Sequence, residues 1–510
     1  MTTDMALDTL EARGLIRLAA AQPELEYLFR HALLQDTAYE SLLKQERRSL
    51  HQVVGTALEE LYPERLGEMA AVLARHFEQA GDTDKAIDYL QQAAKFAIDR
   101  NAIREAYELY GRANVLLPPY DPGAPAAVRR RRIQIELGRA QAGFAFLGDE
   151  KQLATLRPLV AQSAELRDLK LEADVHLAIA LQRQLRGGNP TEDPELARSL
   201  DRVNEIGREL NDPMIAALST SIVGLYEIFG GQMLEGVARL EAVQPLLEQK
   251  RDFVGSSFAL VALAMGYARL GEFDKAEIAV ARSKALAQQG DVVARVDALI
   301  GESTLHSIRG DLEAAVPLAM QCTQLAEAAG ASACVVASNF VLGDAYMRQG
   351  QFAAAKIAFD RSDEIAQMTE QRIFKPSIAA YLRSLGASMG NFDTHGHSFD
   401  EALEEARAIG DLFGEATIVW KRADTEAKKP AADRDDAQML ADFATATASF
   451  TQMGARPFVA RVERDWGQQL LALGRTQEGR AKLTQARDLL TELGISREAA
   501  ELTAELGVEA

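Results

Sequence analysis

The stretch Leu342-Gly343-Asp344-Ala345-Tyr346-Met347-Arg348-Gln349-Gly350-Gln351-Phe352-Ala353-Ala354-Ala355 decides the fold. Small and large residues alternate up to a glycine, an aromatic follows two positions later, and an alanine-rich run begins. Ala264-Met265-Gly266-Tyr267-Ala268-Arg269-Leu270-Gly271-Glu272-Phe273-Asp274-Lys275-Ala276 repeats that order. Working outward, comparable glycines stand at Gly148, Gly188, Gly231, Gly271, Gly310, Gly350, Gly390 and Gly474. Their spacings are 40, 43, 40, 39, 40, 40 and 84 residues, the last being two periods with one marker missing. Gly81 opens a further copy upstream. Periods of this size belong to stacked helix pairs rather than to one compact core.

The columns of the repeat carry the physical reason. Five residues after the marker lie Ala86, Gly236, Ala276, Ala315, Ala355 and Gly479, all small. Nine after it lie Leu90, Leu240, Val280, Ala319, Phe359, Phe399 and Leu483, all apolar, and twelve after it come mostly small residues, among them Ala93, Ser283, Cys322 and Ala486. Steps of four and seven keep these positions on one helical stripe, where small side chains let helices approach closely. The marker glycine suits a helix C-terminus, which reverses through left-handed φ. The unit is therefore helix, glycine turn, helix. Strand signals are weak, because no sustained alternation bounded by hairpin turns occurs.

These two copies resemble the tetratricopeptide repeat, through Gly343, Tyr346, Gly350, Phe352 and Ala355 in one and Gly266, Tyr267, Gly271, Phe273 and Ala276 in the other. The resemblance runs from about residue 65 to 510, with a period longer than the ~34 residues usual for that family. It implies an all-α right-handed superhelix of about ten stacked helix pairs. It says little about function, because such arrays are binding platforms with interchangeable faces.

A second resemblance covers residues 8 to 117. Leu10-Glu11-Ala12-Arg13-Gly14-Leu15-Ile16-Arg17 is followed by Tyr27 to Leu43 and by Arg47-Arg48-Ser49-Leu50-His51. Then come Leu73-Ala74-Arg75-His76 and Ala80-Gly81-Asp82 with Lys85-Ala86. This order is similar to the end of the winged-helix subdomain of STAND-class signalling ATPases, of the kind fused to bacterial class III adenylate or guanylate cyclases. It implies a winged-helix remnant over 1–64 and first repeats over 65–117. The Pro-rich break at 118–128 would then separate these from the long superhelix at 129–510. His31, in Phe29-Arg30-His31-Ala32-Leu33, matches the histidine that touches the ADP β-phosphate in that family, with Ala32 in place of the usual aspartate. The plainer reading is a histidine satisfied at a strand-to-helix junction, since the phosphate role requires a P-loop domain.

The chain contains no Gly-x-x-x-x-Gly-Lys-Ser/Thr loop, so the phosphate cradle of such an ATPase is missing from it. The expectation is the C-terminal arm of a longer machine, or a relative that lost its motor, with no enzymatic activity and no cofactor of its own. Asp393, His395, His397 and Asp400 could bind Zn²⁺ through imidazole and carboxylate ligands. However, His395 falls in the small column, and Phe392 and Phe399 keep the helical frame, which favours a loosened helix start bearing surface histidines. Cys322 reads as packing, and Cys334 has no nearby base to make it a nucleophile. Arg129-Arg130-Arg131-Arg132 could grip an anion, or be spent on ion pairs between repeats.

Composition narrows the partners. With 56 Lys+Arg against 75 Asp+Glu the net charge is −19, which argues against nucleic acid or an anionic membrane as the main partner. A hydrophobic share of 47% is ordinary for a globular chain. The N-terminus has no secretory pattern, two cysteines make no disulfide framework, and the longest apolar run, 258–268, is too short to span a bilayer; the expected location is cytoplasmic. Two functions follow. One is a non-catalytic regulatory or sensor arm that binds a protein or small ligand on the repeat surface and controls an ATPase or cyclase. The alternative is a free-standing scaffold for protein–protein interaction.

Overall fold

A computed structural model describes residues 3–20, 26–100, 102–143, 149–185, 187–249, 253–288, 292–392 and 398–507. The chain forms two compact units, residues 1–96 with 109–118, and residues 97–108 with 119–510. Among the described residues there are twenty-five α-helices and a single two-stranded sheet. The fold is all-α in class, as the repeat pattern requires.

In the first unit, helix Thr3–Ala12 leads through Gly14, at φ +70°, into an antiparallel hairpin of β1 (Ile16–Ala20) and β2 (Glu26–Phe29). Helix Ala32–Ser41 follows and buries none of its residues, while helix Lys44–Leu61 fully buries only Gly55. That glycine is required by contact: a Cβ there would sit 2.9 Å from the ring of Phe77. Helix Leu66–Ala80 buries Ala70, Leu73, Ala74 and Phe77. Gly81, at φ +84°, then turns the chain into helix Thr83–Asp99. Phe77 stacks on Tyr89 with centroids 5.6 Å apart, and Glu59 accepts hydrogen bonds from Tyr89 Oη and Lys85 Nζ, each at 2.6 Å.

The second unit is a run of helix pairs. Gly231, Gly271, Gly310, Gly350, Gly390 and Gly474 all have positive φ at the turn inside a pair, as a left-handed reversal demands. One marker is corrected: the left-handed residue is Gly187, at φ +90°, not Gly188, whose own Cβ would meet Arg183 O at 2.7 Å. Gly148 lies outside the described residues. The pair without a marker, Leu412–Ala427 and Asp436–Gln452, is joined by residues 428–435, where the Asp435 carboxylate caps the second helix by accepting from Gln438 N at 3.0 Å.

A second set of left-handed residues, at Asn211, Gly330, Glu370, Gly410, Gly454 and Gly494, marks the turns between pairs. From Gly310 to Gly410, and again from Gly454 to Gly494, these alternate with the first set, one tight reversal inside a pair and one on the way to its neighbour.

In the pairs marked by Gly231, Gly271, Gly310, Gly350 and Gly474 the residues five and nine positions after the glycine are buried. Ala276, Ala315, Ala355, Phe359, Leu483 and Ala486 are buried to 3% exposure or less, and Gly236 and Gly479 are buried as well. The large residue nine positions after the marker has a counterpart that the repeat columns did not include, seven positions before it on the first helix. A Cβ on Gly343 would lie 2.6 Å from the Phe359 ring, one on Gly224 2.8 Å from Leu240, and one on Gly467 2.9 Å from Leu483. Gly224 and Gly236 meet backbone to backbone, as do Gly467 and Gly479.

Helix Pro213–Gly230, with a mean hydropathy of 1.3 over 18 residues, is the one described helix long and apolar enough to cross a membrane. Its Ile215, Ala217, Leu225 and Ile228 are buried within the array, where they serve as core.

Ala355 packs with Phe359, Tyr381 and Leu385, and Phe352 and Tyr346 lie against that cluster. We expect Ala355→Leu and Gly343→Ala each to cost about 1–3 kcal/mol, from side-chain atoms forced into a filled contact. In a repeat array the loss falls first on the pair and its neighbours, so urea denaturation should broaden as well as shift. A sharp, unshifted transition in both variants would contradict this register of the repeats.

Candidate functional site

The residues singled out in the sequence do not converge. His31 occupies the N-cap of helix Ala32–Ser41, directly after β2; its side chain is exposed and makes no capping bond. Asp393, His395 and His397 lie outside the described residues. Asp400 is 86% exposed and faces Arg422 Nη1 at 3.4 Å. No group of three or more metal-ligating side chains occurs among the described residues. The arginine run is engaged in ion pairs: Arg130 with Asp168 at 2.8 Å, Arg129 with Glu165 at 3.8 Å, and Arg132 with Glu136 at 3.3 Å. Cys322 is buried, and burial followed by the nearby Asp297 carboxylate pushes its thiol up to about 12. The Cys334 thiol is raised for the same reasons, so neither offers a thiolate.

A polar seam that the sequence did not single out lies along the first helices of successive pairs. Ser257 Oγ donates to Asp297 at 2.6 Å and Ser384 Oγ to Asp424 at 2.5 Å, each bond reaching forty residues along the chain. Arg269 donates to Ile228 O at 2.8 Å, and Arg348 donates to Ser307 O at 2.6 Å, each reaching forty-one residues back to the end of an earlier first helix. These bonds answer the exposed carbonyls that every helix leaves at its C-terminus. Arg269 and Arg348 thus each tie their pair to the one before it.

The seam tightens around Glu498, on helix Ser496–Leu506. Its carboxylate accepts from Arg461 Nη2 at 2.8 Å, Arg348 Nη2 at 2.7 Å and Arg464 Nη1 at 3.2 Å, while Arg461 also donates to Ile308 O at 2.6 Å. Burial alone would raise the Glu498 carboxyl. The guanidinium groups of Arg461, Arg348 and Arg464 outweigh that and hold it well below the usual carboxylate range. Gly271 and Gly310 approach Leu493 and Ile495 in the same region, so turns far apart in sequence rest on each other.

Lys421 is the unmatched member. It is 8% exposed, and among the described residues its ammonium makes no hydrogen bond and no ion pair. The nitrogen sits 4.4 Å from the Tyr381 ring centroid and 4.2 Å from that of Trp420. The neighbouring carboxylates are committed elsewhere: Asp424 to Ser384 and Lys428, Asp465 to Trp420 Nε1 at 3.0 Å. Burial pushes the Lys421 ammonium below the ordinary lysine value, and Asp424, Asp344 and Asp465 pull it only part of the way back. A charged group held this way retains three donors for whatever reaches it. Lysine at a helical position reads as surface in a sequence, and no local signal separates this one from its exposed neighbours.

Comparison with known proteins agrees with this architecture. Tetratricopeptide-repeat family models match residues 70–101 and 336–367. An uncharacterized protein of Rhizobium meliloti (strain 1021) is 27% identical over 167 residues, 31% of this chain and 16% of that protein's length. The crystal structure of a Rap protein complexed with Competence and Sporulation Factor superposes with a TM-score of 0.53 at 12% identity, covering 72% of this chain and 99% of that one. A Signal Transduction ATPase with Numerous Domains carrying a tetratricopeptide repeat sensor, from Pyrococcus horikoshii, is 13% identical with a TM-score of 0.36, over 94% of this chain and 61% of that one. The chain therefore carries tetratricopeptide repeats, and its fold is the superhelical one.

Replacing Glu498 by Gln should destabilise the array by about 3–5 kcal/mol, because buried guanidinium groups lose their counter-charge. The acid limb supplies the control. A carboxyl depressed in the folded state contributes stability above its unfolded value of about 4.3, and that stability is lost as pH falls toward the lower folded value. Stability of the wild type should therefore fall more steeply with acid below pH ~4.3 than that of E498Q. Parallel acid limbs in thermal melts would show that Glu498 is not the compensating group.

Proposed function

We propose that the chain is a non-catalytic regulatory arm whose repeat array binds a protein or small ligand and passes that occupancy to an ATPase or nucleotide-cyclase effector. The observation that carries this reading is Lys421. An ammonium buried between two aromatic rings, with no ion-pair partner among the described residues, is costly to keep, and a ligand bearing an acceptor group offsets that cost on binding. The architecture supports the same reading, since helical-repeat arrays offer long surfaces for recognition. The Rap protein of similar fold was crystallised with Competence and Sporulation Factor, which makes a signalling factor a reasonable class of ligand to test first. The order of residues from Leu10 to Ala86, with its resemblance to STAND ATPases, is the reason for naming an ATPase or cyclase as the effector.

Two measurements test this. A thermal-shift screen of peptides and small acids against the wild type and Lys421→Met should find ligands that raise the Tm of the former by several degrees and leave the latter unmoved. A screen in which every stabilising ligand acts equally on both proteins would remove Lys421 from the site. Calorimetric titration with ATP should give no micromolar binding to this chain, because its sequence holds no phosphate loop; micromolar affinity would reveal a nucleotide site and a different function.

A further inference from the structure

The first unit contains a chain of three aromatic polar groups that serve neither the repeat packing nor the seam. Tyr39 Oη lies 3.0 Å from His51 Nε2, and His51 Nδ1 lies 3.0 Å from His76 Nδ1. The three come from three successive α-helices, Ala32–Ser41, Lys44–Leu61 and Leu66–Ala80. A contact between two imidazole nitrogens at this distance holds one proton, donated by one ring and accepted by the other. Either direction satisfies the set. Tyr39 donates to His51, which donates to His76, or His76 donates to His51, which donates to Tyr39.

We propose that Tyr39, His51 and His76 form a proton-controlled latch that fastens helix Ala32–Ser41, through helix Lys44–Leu61, to the first repeat helix. With one bridging proton the latch is closed. When water delivers a second proton to the accepting Nδ1, that ring becomes an imidazolium, both facing nitrogens carry hydrogen, and the N–H···N bond is lost to repulsion between two donors.

Helix Ala32–Ser41 depends on this contact because it buries no residue of its own. What else engages Tyr39 is Arg47, whose guanidinium lies 5.2 Å from the ring centroid and offers it no counter-charge. The charged group bearing on both histidines is Arg75, on the same helix as His76, and no carboxylate bonds either ring among the described residues. Burial first, and then Arg75, hold His51 below the ordinary histidine value; for His76, burial, the His51 ring and Arg75 act in that order. A histidine depressed in the folded state contributes stability above its unfolded value near 6.5, which is lost as pH falls through the lower folded value. The latch therefore opens on the acid side of neutrality. Because His31 stands at the N-cap position of this same helix, release would free the segment that carries it.

The experiment compares chymotryptic cleavage within residues 32–43 of the full chain in the wild type, His76→Phe and Tyr39→Phe. Each variant is read as a ratio to wild type at the same pH, so that the protease's own pH dependence cancels. At pH 7.5 both variants should be cut at least fivefold faster than wild type, and by pH 5 the ratio should fall toward one as the wild type opens. A trans-hydrogen-bond coupling between the two Nδ1 nuclei, seen by ¹⁵N NMR at pH 7.5 and gone at pH 5, would be the direct signature. Circular dichroism of the repeats, unchanged in both variants, confirms that the readout is local. A ratio near one at pH 7.5, or a ratio that stays constant down to pH 5, overturns the latch.

Discussion

Everything in the array depends on how closely the two helices of a pair can approach. Where Gly343 lies under Phe359 and Gly224 under Leu240, the first helix gives up its side chain so that the second can fill the space with a large one. Close approach gains dispersion contacts and removes apolar surface from water, but it leaves no room for an extra methyl group. The period near forty residues follows from it. Two helices of about seventeen residues that face each other along their length need a reversal at each end, and left-handed residues supply most of those among the described residues. Stacking then buries the remaining apolar faces, since no pair can cover its own.

That geometry puts helix ends in an awkward place. Turns pressed against other turns cannot leave their carbonyl groups to solvent, so arginines from later helices reach back to satisfy them. Bringing several guanidinium groups inside creates a second problem, excess positive charge, which Glu498 answers. Among the described residues Lys421 has no ion-pair partner, although Asp424, Asp344 and Asp465 act on it from nearby, and that asymmetry separates it from the paired arginines. The same distinction applies in the first unit, where Glu59 is spent on Lys85 and Tyr89 while, among the described residues, the paired histidines hydrogen-bond each other and Tyr39.

The fold was legible because its governing signal is local and repeated. A glycine, an aromatic and a small residue at fixed offsets recur often enough to survive individual departures, and the small columns at Ala276, Ala315 and Ala355 are buried as the spacing requires. What escaped was of two kinds. Left-handed residues at Asn211 and Glu370 carry no glycine to announce them, and adjacent glycines at Gly187 and Gly188 leave the turn ambiguous by one residue. The polar seam escaped for a deeper reason. Its bonds join residues from 34 to 153 positions apart, and an arginine that will be buried looks in sequence like one that will not. His51 and His76 stand out in the sequence only through the order of residues they belong to, and their pairing requires knowing which faces of two helices meet.

One consequence concerns the time order of folding. Arg461 bonds a carbonyl 153 residues away in sequence, and Glu498 bonds an arginine 150 residues before it. Most contacts in a helical-repeat protein are short in sequence, so such chains fold quickly from any starting point. Here the cost of closing a long loop is deferred, because intervening repeats must already be stacked before the distant turns come within reach. During synthesis the early repeats leave the ribosome able to pair with their neighbours but not to complete this closure. Until helix Ser496–Leu506 emerges, Arg348 has only Asp344 on its own helix, at 3.8 Å, and the Glu498 carboxylate that joins it to Arg461 is missing. The bonds of Glu498 and Arg461 therefore form late, after the repeats that separate their partners in sequence have stacked.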